Sequence, residues 1–334
     1  MRGYISISLP HGFTAFDPSP LIAFCNTSCH SIYEKGSMTT MSRQDEIFEK
    51  AVHDAVICAV TEISGDVKQL LKEALEHESS DTAKSMLASM LENVEIAKAA
   101  DKGVCQSPGY PTIWISFGDG NFPANAKDTI SNAVAEATQK GYLRPSMVDP
   151  LTRENSGDNT GKGVPNIEYE YIPGQDYVEF IISFKGCGAE LGNAMQIMTP
   201  AKLGRDWNGL KRFVLETAIN AGGKPCPPFG IGIGIGGQMD VCSKLSRRAI
   251  STRRWDDENP DPQLAALEGE LKEAVNALGL GAAGTGGDTV CLALKIERAH
   301  THTAIAPVAI NFHCWVARRA GVRIYDDGRV EKIL

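Results

Sequence analysis

The sequence predicts an α+β fold in which a helical N-terminal region leads into mixed β-sheets with helices packed on them. Three observations carry this. Apolar residues recur at helical spacing through the first hundred residues, and β-rich runs separated by helical stretches take over after Gly103. A hydrophobic content of 43% over 334 residues is also enough to bury a sizeable core.

Residues 1–40 mix Pro, Gly and Ser with scattered apolar residues, and Met38 or Met41 directly precedes the first helical pattern. The stretch reads as a disordered extension or a start placed too early, in preference to a targeting segment. Residues 41–334 then form the working domain, with a helical lead-in over 42–100 and an α/β region over 101–334. Ser42 and Asp45 pattern as a capping box, and Phe48, Val52, Val56, Val60 and Ile63 follow at helical spacing. Val67, Leu70, Leu71, Ala74 and Leu75 mark a second helix, and Ala83, Met86, Leu87, Met90, Leu91 and Val94 a third. The methionines of the third lie on its apolar stripe, which reads as core packing.

Strands are expected over Thr112 to Phe117, Tyr177 to Phe184, Thr289 to Ile296 and Ala304 to Phe312. Helices are expected through Ile130 to Ala137, Leu210 to Ala221 with Gly222 and Gly223 closing it, and Leu264 to Leu278. Val322 to Tyr325 and Val330 to Leu334, joined by Asp327 and Gly328, read as a closing hairpin. The polar stretch from Thr252 to Gln263 is the candidate for a long exposed loop.

Charge and cysteine usage exclude several function classes. The formal charge of -8 is spread along the chain with no dense Lys/Arg run, which argues against a nucleic-acid partner. Apolar runs such as Tyr177 to Phe184 are far shorter than the roughly 20 residues that span a bilayer, so no membrane partner is expected. Nine cysteines, an odd count with no secretory signal, favour a reducing cytosol and a cytoplasmic location.

Gly232, Gly234 and Gly237 formally match GxGxxG. The match is weak, because Lys224-Pro225-Cys226-Pro227-Pro228 precedes it where a strand should stand, and the Ile/Gly alternation itself reads as a strand. Such a strand has one bare face, open to another chain segment, a cofactor or a ligand beside Cys226. His300 and His302 would point the same way from a strand, but no second ligand pair lies nearby, and an ordinary histidine is the plainer reading. Cys105 in GVCQSPG, Cys226 in PCPP and Cys314 in FHCWVARR each sit beside Gly, Pro or an aromatic. On composition alone each reads as a small buried hydrophobe.

Those three cysteines, in order and context, resemble the cluster ligands of the class I fumarate hydratase and L(+)-tartrate dehydratase family, alpha subunit. Further matches are the lead-in MLENVEIAKAADKGVCQ, then LRPSMVDPLTRENSGDNTGKGVP, KGCGAELGN, CPPFGIGIGIGG, GLGAAGTGGDT, HTHTA and PVAINFHCWVARRA. The resemblance spans roughly residues 45–330 and implies a cluster-binding hydro-lyase domain. It implies that Cys105, Cys226 and Cys314 hold a [4Fe–4S] cluster with one iron left for substrate. It also implies that Arg144 binds a substrate carboxylate, that Gly188 contacts substrate through its backbone, and that Gln106 and His302 face substrate. The first cysteine of the family is followed by Gln, Asp, Thr and Gly; here Gln106, Ser107, Pro108 and Gly109 follow, and a hydroxyl stands in the place of the acid.

The implied activity is reversible hydration of fumarate to malate, with L(+)-tartrate dehydration to oxaloacetate as the alternative. A beta subunit would carry the catalytic base and further cations, in a homo- or hetero-oligomer acting on a small dicarboxylate. The rival readings are a cluster-bearing sensor without turnover, motivated by Ser107, and a nucleotide-binding oxidoreductase resting on the glycine spacing alone.

Overall fold

The computed structural model describes residues 43–120 and 122–334. The extension expected over residues 1–40, Ser42 of the expected capping box, and Cys25 and Cys29 lie outside them.

Three helices come first, α1 (Arg43–Thr61), α2 (Gly65–His77) and α3 (Asp81–Ala100). The α/β region follows with β1 (Tyr110–Phe117), α4 (Ala126–Gln139), β2 (Asn166–Tyr171), β3 (Tyr177–Lys185), α5 (Cys187–Leu191), β4 (Ala194–Met198), α6 (Pro200–Leu203) and α7 (Asn208–Ala221). It ends with β5 (Phe229–Ile235), α8 (Met239–Thr252), α9 (Pro262–Asn276), β6 (Cys291–Arg298), β7 (Ala306–His313), β8 (Arg319–Tyr325) and β9 (Val330–Lys332). The expected α+β class is borne out, and both sheets are mixed. One runs β2-β1-β3-β8-β9 and the other β4-β7-β5-β6, with β1/β2 and β5/β6 the parallel pairs. The closing hairpin forms as β8 and β9, pairing Val322 with Lys332.

Periodicity decides what each sheet buries. Phe48, Val52, Val56 and Val60 of α1 lie on one stripe and pack with α4 against Ile113, Ile115, Phe180 and Ile182 of the first sheet. Leu210 and Val214 of α7, with Leu267 and Leu271 of α9, cover Ile231, Ile233 and Ile310 of the second. A third cluster joins α2 and α3 to Trp255, Cys314 and Val316, which brings the helical lead-in against the segment after β7. Among the described residues no helix is long and apolar enough to cross a membrane.

The bare glycine face of β5 is covered by α8, a helix the hydrophobic pattern does not announce. A Cβ on Gly232 would stand 1.9 Å from the Ser246 carbonyl, and one on Gly234 2.0 Å from that of Cys242. Over Gly232 and Gly234 the helix backbone itself fills the space, and Ile250 is the one large side chain of α8 that packs on the glycine face, over Gly230 and Gly232. Its buried face is otherwise made of Cys242, Ser246, Ala249 and Ser251, small residues that do not stand out as an apolar stripe in the sequence. The occupant of the open face is thus another segment of this chain.

Two expectations are corrected. The stretch from Thr252 to Gln263 is not a free exposed loop, since Trp255 and Asn259 are buried. The Asn259 amide donates to Glu268 at 2.7 Å and to the Ile296 carbonyl at 3.0 Å, and Arg253 pairs with Asp257 and Glu268. Its polarity serves a buried network on one side, while Arg254, Asp256 and Glu258 stay exposed as expected of a loop. His300 and His302 lie on the turn between β6 and β7 and not on a strand, so strand alternation does not align their side chains.

Candidate active site

Four loop segments meet where strands of the two sheets end, before β1 and β5 and after β3 and β7. The first carries Cys105, Gln106 and Ser107 between α3 and β1. It is tied to the helical lead-in by the Val104 amide donating to the Val60 carbonyl (2.9 Å) and the Asn93 amide donating to the Val104 carbonyl (2.9 Å). It ends at Gly109, whose φ of +77° and close approach suit glycine alone: a Cβ there would lie 1.6 Å from the Lys185 carbonyl oxygen. The second segment, Lys185 to Glu190, leaves the end of β3. Gly186 approaches Ser107 and the Arg318 guanidinium, and a Cβ on Gly188 would lie 2.2 Å from the Lys224 carbonyl oxygen. The third segment carries Cys226, held at φ +56° between α7 and β5. The fourth carries Cys314 and Arg318 between β7 and β8, with the Trp315 amide donating to the Cys226 carbonyl at 3.4 Å.

The electrostatics report the same convergence. Burial raises the Cys226 thiol above its ordinary value, the neighbouring Cys314 and Cys105 sulfurs add to the rise, and Arg318 opposes it. Cys105 and Cys226 are exposed and Cys314 is buried, so the three sulfurs share a site that opens to the surface. Among the described residues no three His, Cys, Asp or Glu side chains close around a single metal ion. A polynuclear cluster, whose protein ligands sit on different irons, asks for a wider triangle.

Arg318 supplies the decisive polar feature. Its side chain is 1% exposed, Nε and Nη2 have no hydrogen-bond partner, and Nη1 lies 3.9 Å from Cys314 Sγ. A buried cation without a carboxylate is costly, and that cost is relieved by negative charge beside it. Contrast Arg319, equally buried, which pairs with Asp66 at 2.8 Å with both side chains at 0% exposure. Three thiolates holding an anionic cluster fit the Arg318 site, and neutral thiols do not.

Beside the cysteines opens a cleft of about 470 Å³ lined by Ser107, Arg144, Lys185, Cys187, Glu190 and Arg247 among others. Arg144 is exposed and makes no ion pair among the described residues. Its segment is fixed by Asn159, whose side chain donates to the Arg144 carbonyl (3.0 Å) and accepts from the Ser146 amide (2.8 Å). That explains the reach of the motif from Leu143 to Pro165: its far part holds its near part. The cleft on the open face of the first sheet, about 400 Å³, is lined by ions already matched to one another, Arg248 with Glu170 and Arg323 with Glu179. Unmatched positive charge singles out the cleft beside the cysteines.

The residues singled out from sequence are thus partly united. Ser107 and Arg144 line one cleft, the three cysteine segments meet beside it, and Gln106 is exposed on the same loop. Gly188 packs against Lys224 at the rim. His302 is not brought there. The Gly237 amide donates to the His300 carbonyl, which places this turn at the far end of β5 from Cys226, roughly 20 Å away at the rise of a seven-residue strand. Sequence reading missed Lys185, Glu190, Arg247 and Arg318. The available signals were a lysine ending an otherwise apolar strand and paired arginines after a cysteine.

Comparison with known proteins decides the family. The profile described as Fumarate hydratase (Fumerase) matches residues 49–323. The chain belongs to the fumarate hydratase family. It is therefore a hydro-lyase by class. It is 42% identical over 269 residues to a protein of Methanocaldococcus jannaschii provisionally named L(+)-tartrate dehydratase subunit alpha, covering 79% of this chain and 93% of that one. It is 34% identical over 287 residues to a provisionally named class I fumarate hydratase of Geobacillus stearothermophilus, covering 84% of this chain and 55% of that one. With the L(+)-tartrate dehydratase subunit alpha of Escherichia coli K12 the identity is 30% over 275 residues, covering 82% and 89%.

Proposed function

We propose that this chain is the alpha subunit of a [4Fe–4S]-dependent hydro-lyase that interconverts fumarate and malate, completed by a separate beta subunit. The observation that carries the reading is Arg318, a buried cation without a carboxylate, among three cysteine segments at the edge of a positively lined cleft. A cluster on Cys105, Cys226 and Cys314 would supply Lewis-acid help to a departing hydroxide, a poor leaving group on its own.

The chain's own residues do the rest of the work assigned to this half. Arg144 offers a planar fork suited to one substrate carboxylate, and its loop is held by Asn159 so that little entropy is lost on binding. Arg318 offsets negative charge at the thiolates. Ser107 and Gln106, on the loop that enters the cleft from Cys105, offer neutral hydrogen-bond groups to the substrate. No carboxylate stands at position 107, so the proton on the neighbouring carbon is assigned to a base on the beta subunit. His302, a strand length away, takes no part in the site of its own chain.

A second reading, dehydration of L(+)-tartrate to oxaloacetate, is favoured by one observation. The relatives named as tartrate dehydratase alpha subunits are spanned over 93% and 89% of their length, whereas the one named fumarate hydratase is spanned over 55%. Anaerobic copurification with the beta chain, followed by assays on fumarate, malate and both tartrate enantiomers, separates the two. Turnover of none of these substrates by a cluster-loaded complex would refute both.

A further inference from the structure

Lys185 closes β3 with its side chain only 6% exposed, and its ammonium meets three acceptors. Two are the amide oxygens of Asn193, at 2.9 Å, and Asn311. Asn193 is itself held in the fold, accepting the Phe312 amide at 3.0 Å. The third acceptor differs. It is the carboxylate of Glu190, at 2.7 Å, whose side chain is 63% exposed on the wall of the cleft shared with Ser107 and Arg144. A lysine buried for stability alone would be expected to have a partner as buried as itself, as Arg319 has in Asp66. Here two donors are fixed by neutral oxygens inside the fold, and the third points at an anion that can swing into solvent.

We propose that Lys185 is a second substrate-carboxylate anchor, complementing Arg144, and that Glu190 competes with the substrate for it. The inference rests on the reading of this cleft as a dicarboxylate site. A four-carbon substrate carries two carboxylates, and the chain offers Arg144 without an ion pair and Lys185 with a displaceable one, while Arg247 is engaged by Glu168 at 3.0 Å. Glu190 is the sole carboxylate on the cleft wall among the described residues, so its departure leaves Arg144, Lys185 and Arg247 as the charged groups of an otherwise neutral lining. Burial lowers the Lys185 ammonium to about 8 and Glu190 gives the largest opposing influence, so the charged form depends on having an anion beside it. The exchange is one carboxylate for another. Glu190 thereby sets a threshold: a ligand with a single carboxylate is satisfied by Arg144, and only a second carboxylate repays displacement.

The test is calorimetric binding of succinate and of butyrate to the full chain, alone and with its beta subunit, in wild type, Lys185→Met, Glu190→Gln and Arg144→Met. Lys185→Met should weaken succinate at least about 10-fold, the loss expected for one charge-assisted hydrogen bond, and leave butyrate within about 2-fold. Glu190→Gln should tighten succinate by up to about 5-fold, the worth of an exposed ion pair, and lower KM while kcat changes little. A general structural defect would move succinate and butyrate together, and that result would overturn the proposal. If Lys185→Met does not fold, Glu190→Gln decides, because its substitution is on the surface; unchanged or weaker succinate binding there overturns the proposal. Loss of succinate binding in Arg144→Met alone would overturn this proposal while sparing the dicarboxylate reading. A wild-type complex that binds no succinate would overturn both.

Discussion

Arg318→Met should make the metal-free chain more stable and the cluster-loaded chain less able to hold iron. Methionine preserves most of the buried stem and removes the guanidinium, whose Nε and Nη2 find no partner. Each unsatisfied buried donor costs about 1–3 kcal/mol, so relieving two is worth roughly 2–6 kcal/mol to the metal-free fold. For a domain of this size about 2 °C of Tm accompanies each kcal/mol, which predicts a rise of roughly 4 °C or more. With iron bound the sign reverses, because the variant has lost the cation that offsets the thiolates and opposes the upward shift of Cys226. The assay is thermal unfolding of the chelator-treated chain beside iron and sulfide content after anaerobic reconstitution, for wild type and variant. Equal destabilisation in both forms, with iron content unchanged, would mean that Arg318 is simply a packed side chain and would remove the argument for an anionic group at this site.

Replacing Cys105, Cys226 or Cys314 with Ser should each lower iron content after reconstitution, whereas Cys58→Ser and Cys242→Ser should retain it; full loading of the triple variant would defeat the ligand assignment. Ser107→Asp should raise kcat on fumarate, since a positioned acid typically contributes about 10²- to 10⁴-fold, and unchanged kinetics would show that the side chain does not reach the substrate. At Asp66, burial would raise the carboxyl, but Arg319 and the donors from Ser64 and Trp255 override it and hold it at about 2. Its folded value lies below the unfolded one, so its stabilisation, about 2 kcal/mol, is present above pH 4 and lost as pH falls through 2. Urea unfolding against pH should show that loss in wild type and not in Asp66→Asn; parallel curves would refute it.

Much of the architecture was legible because its residues interact with near neighbours in sequence. Helices α1 to α4, α7 and α9 carry apolar stripes, and β1, β3, β6 and β7 carry dense apolar runs, so periodicity located them within a few residues. What it missed has a common cause. Helix α8 lays its backbone on the glycine face of β5 and buries mostly small residues there, Cys242, Ser246 and Ala249, with Ile250 the one large side chain. Strand β2 lies at a sheet edge with no fully buried residue, and β4 is a short edge strand with one. Strands β2 and β4 depend on partners far along the chain and α8 on the strand just before it, and in each case the partner's shape leaves no trace in local hydrophobicity.

The same division runs through the site. By itself the sequence determined which segments carry unusual chemistry, since cysteines beside Gly and Pro, an arginine in a long polar motif and a hydroxyl in an acid's place are written in residue order. Only the tertiary structure decided which of them meet. It brought Cys105, Cys226 and Cys314 to one edge, left His302 at the other end of β5, and revealed Arg318 without a partner and Lys185 held by Asn193, Asn311 and Glu190. Burial and pairing belong to the folded chain, because a lysine or arginine has the same sequence letter whether water or the protein interior surrounds its charge, and the free energy of that charge differs by several kcal/mol between the two.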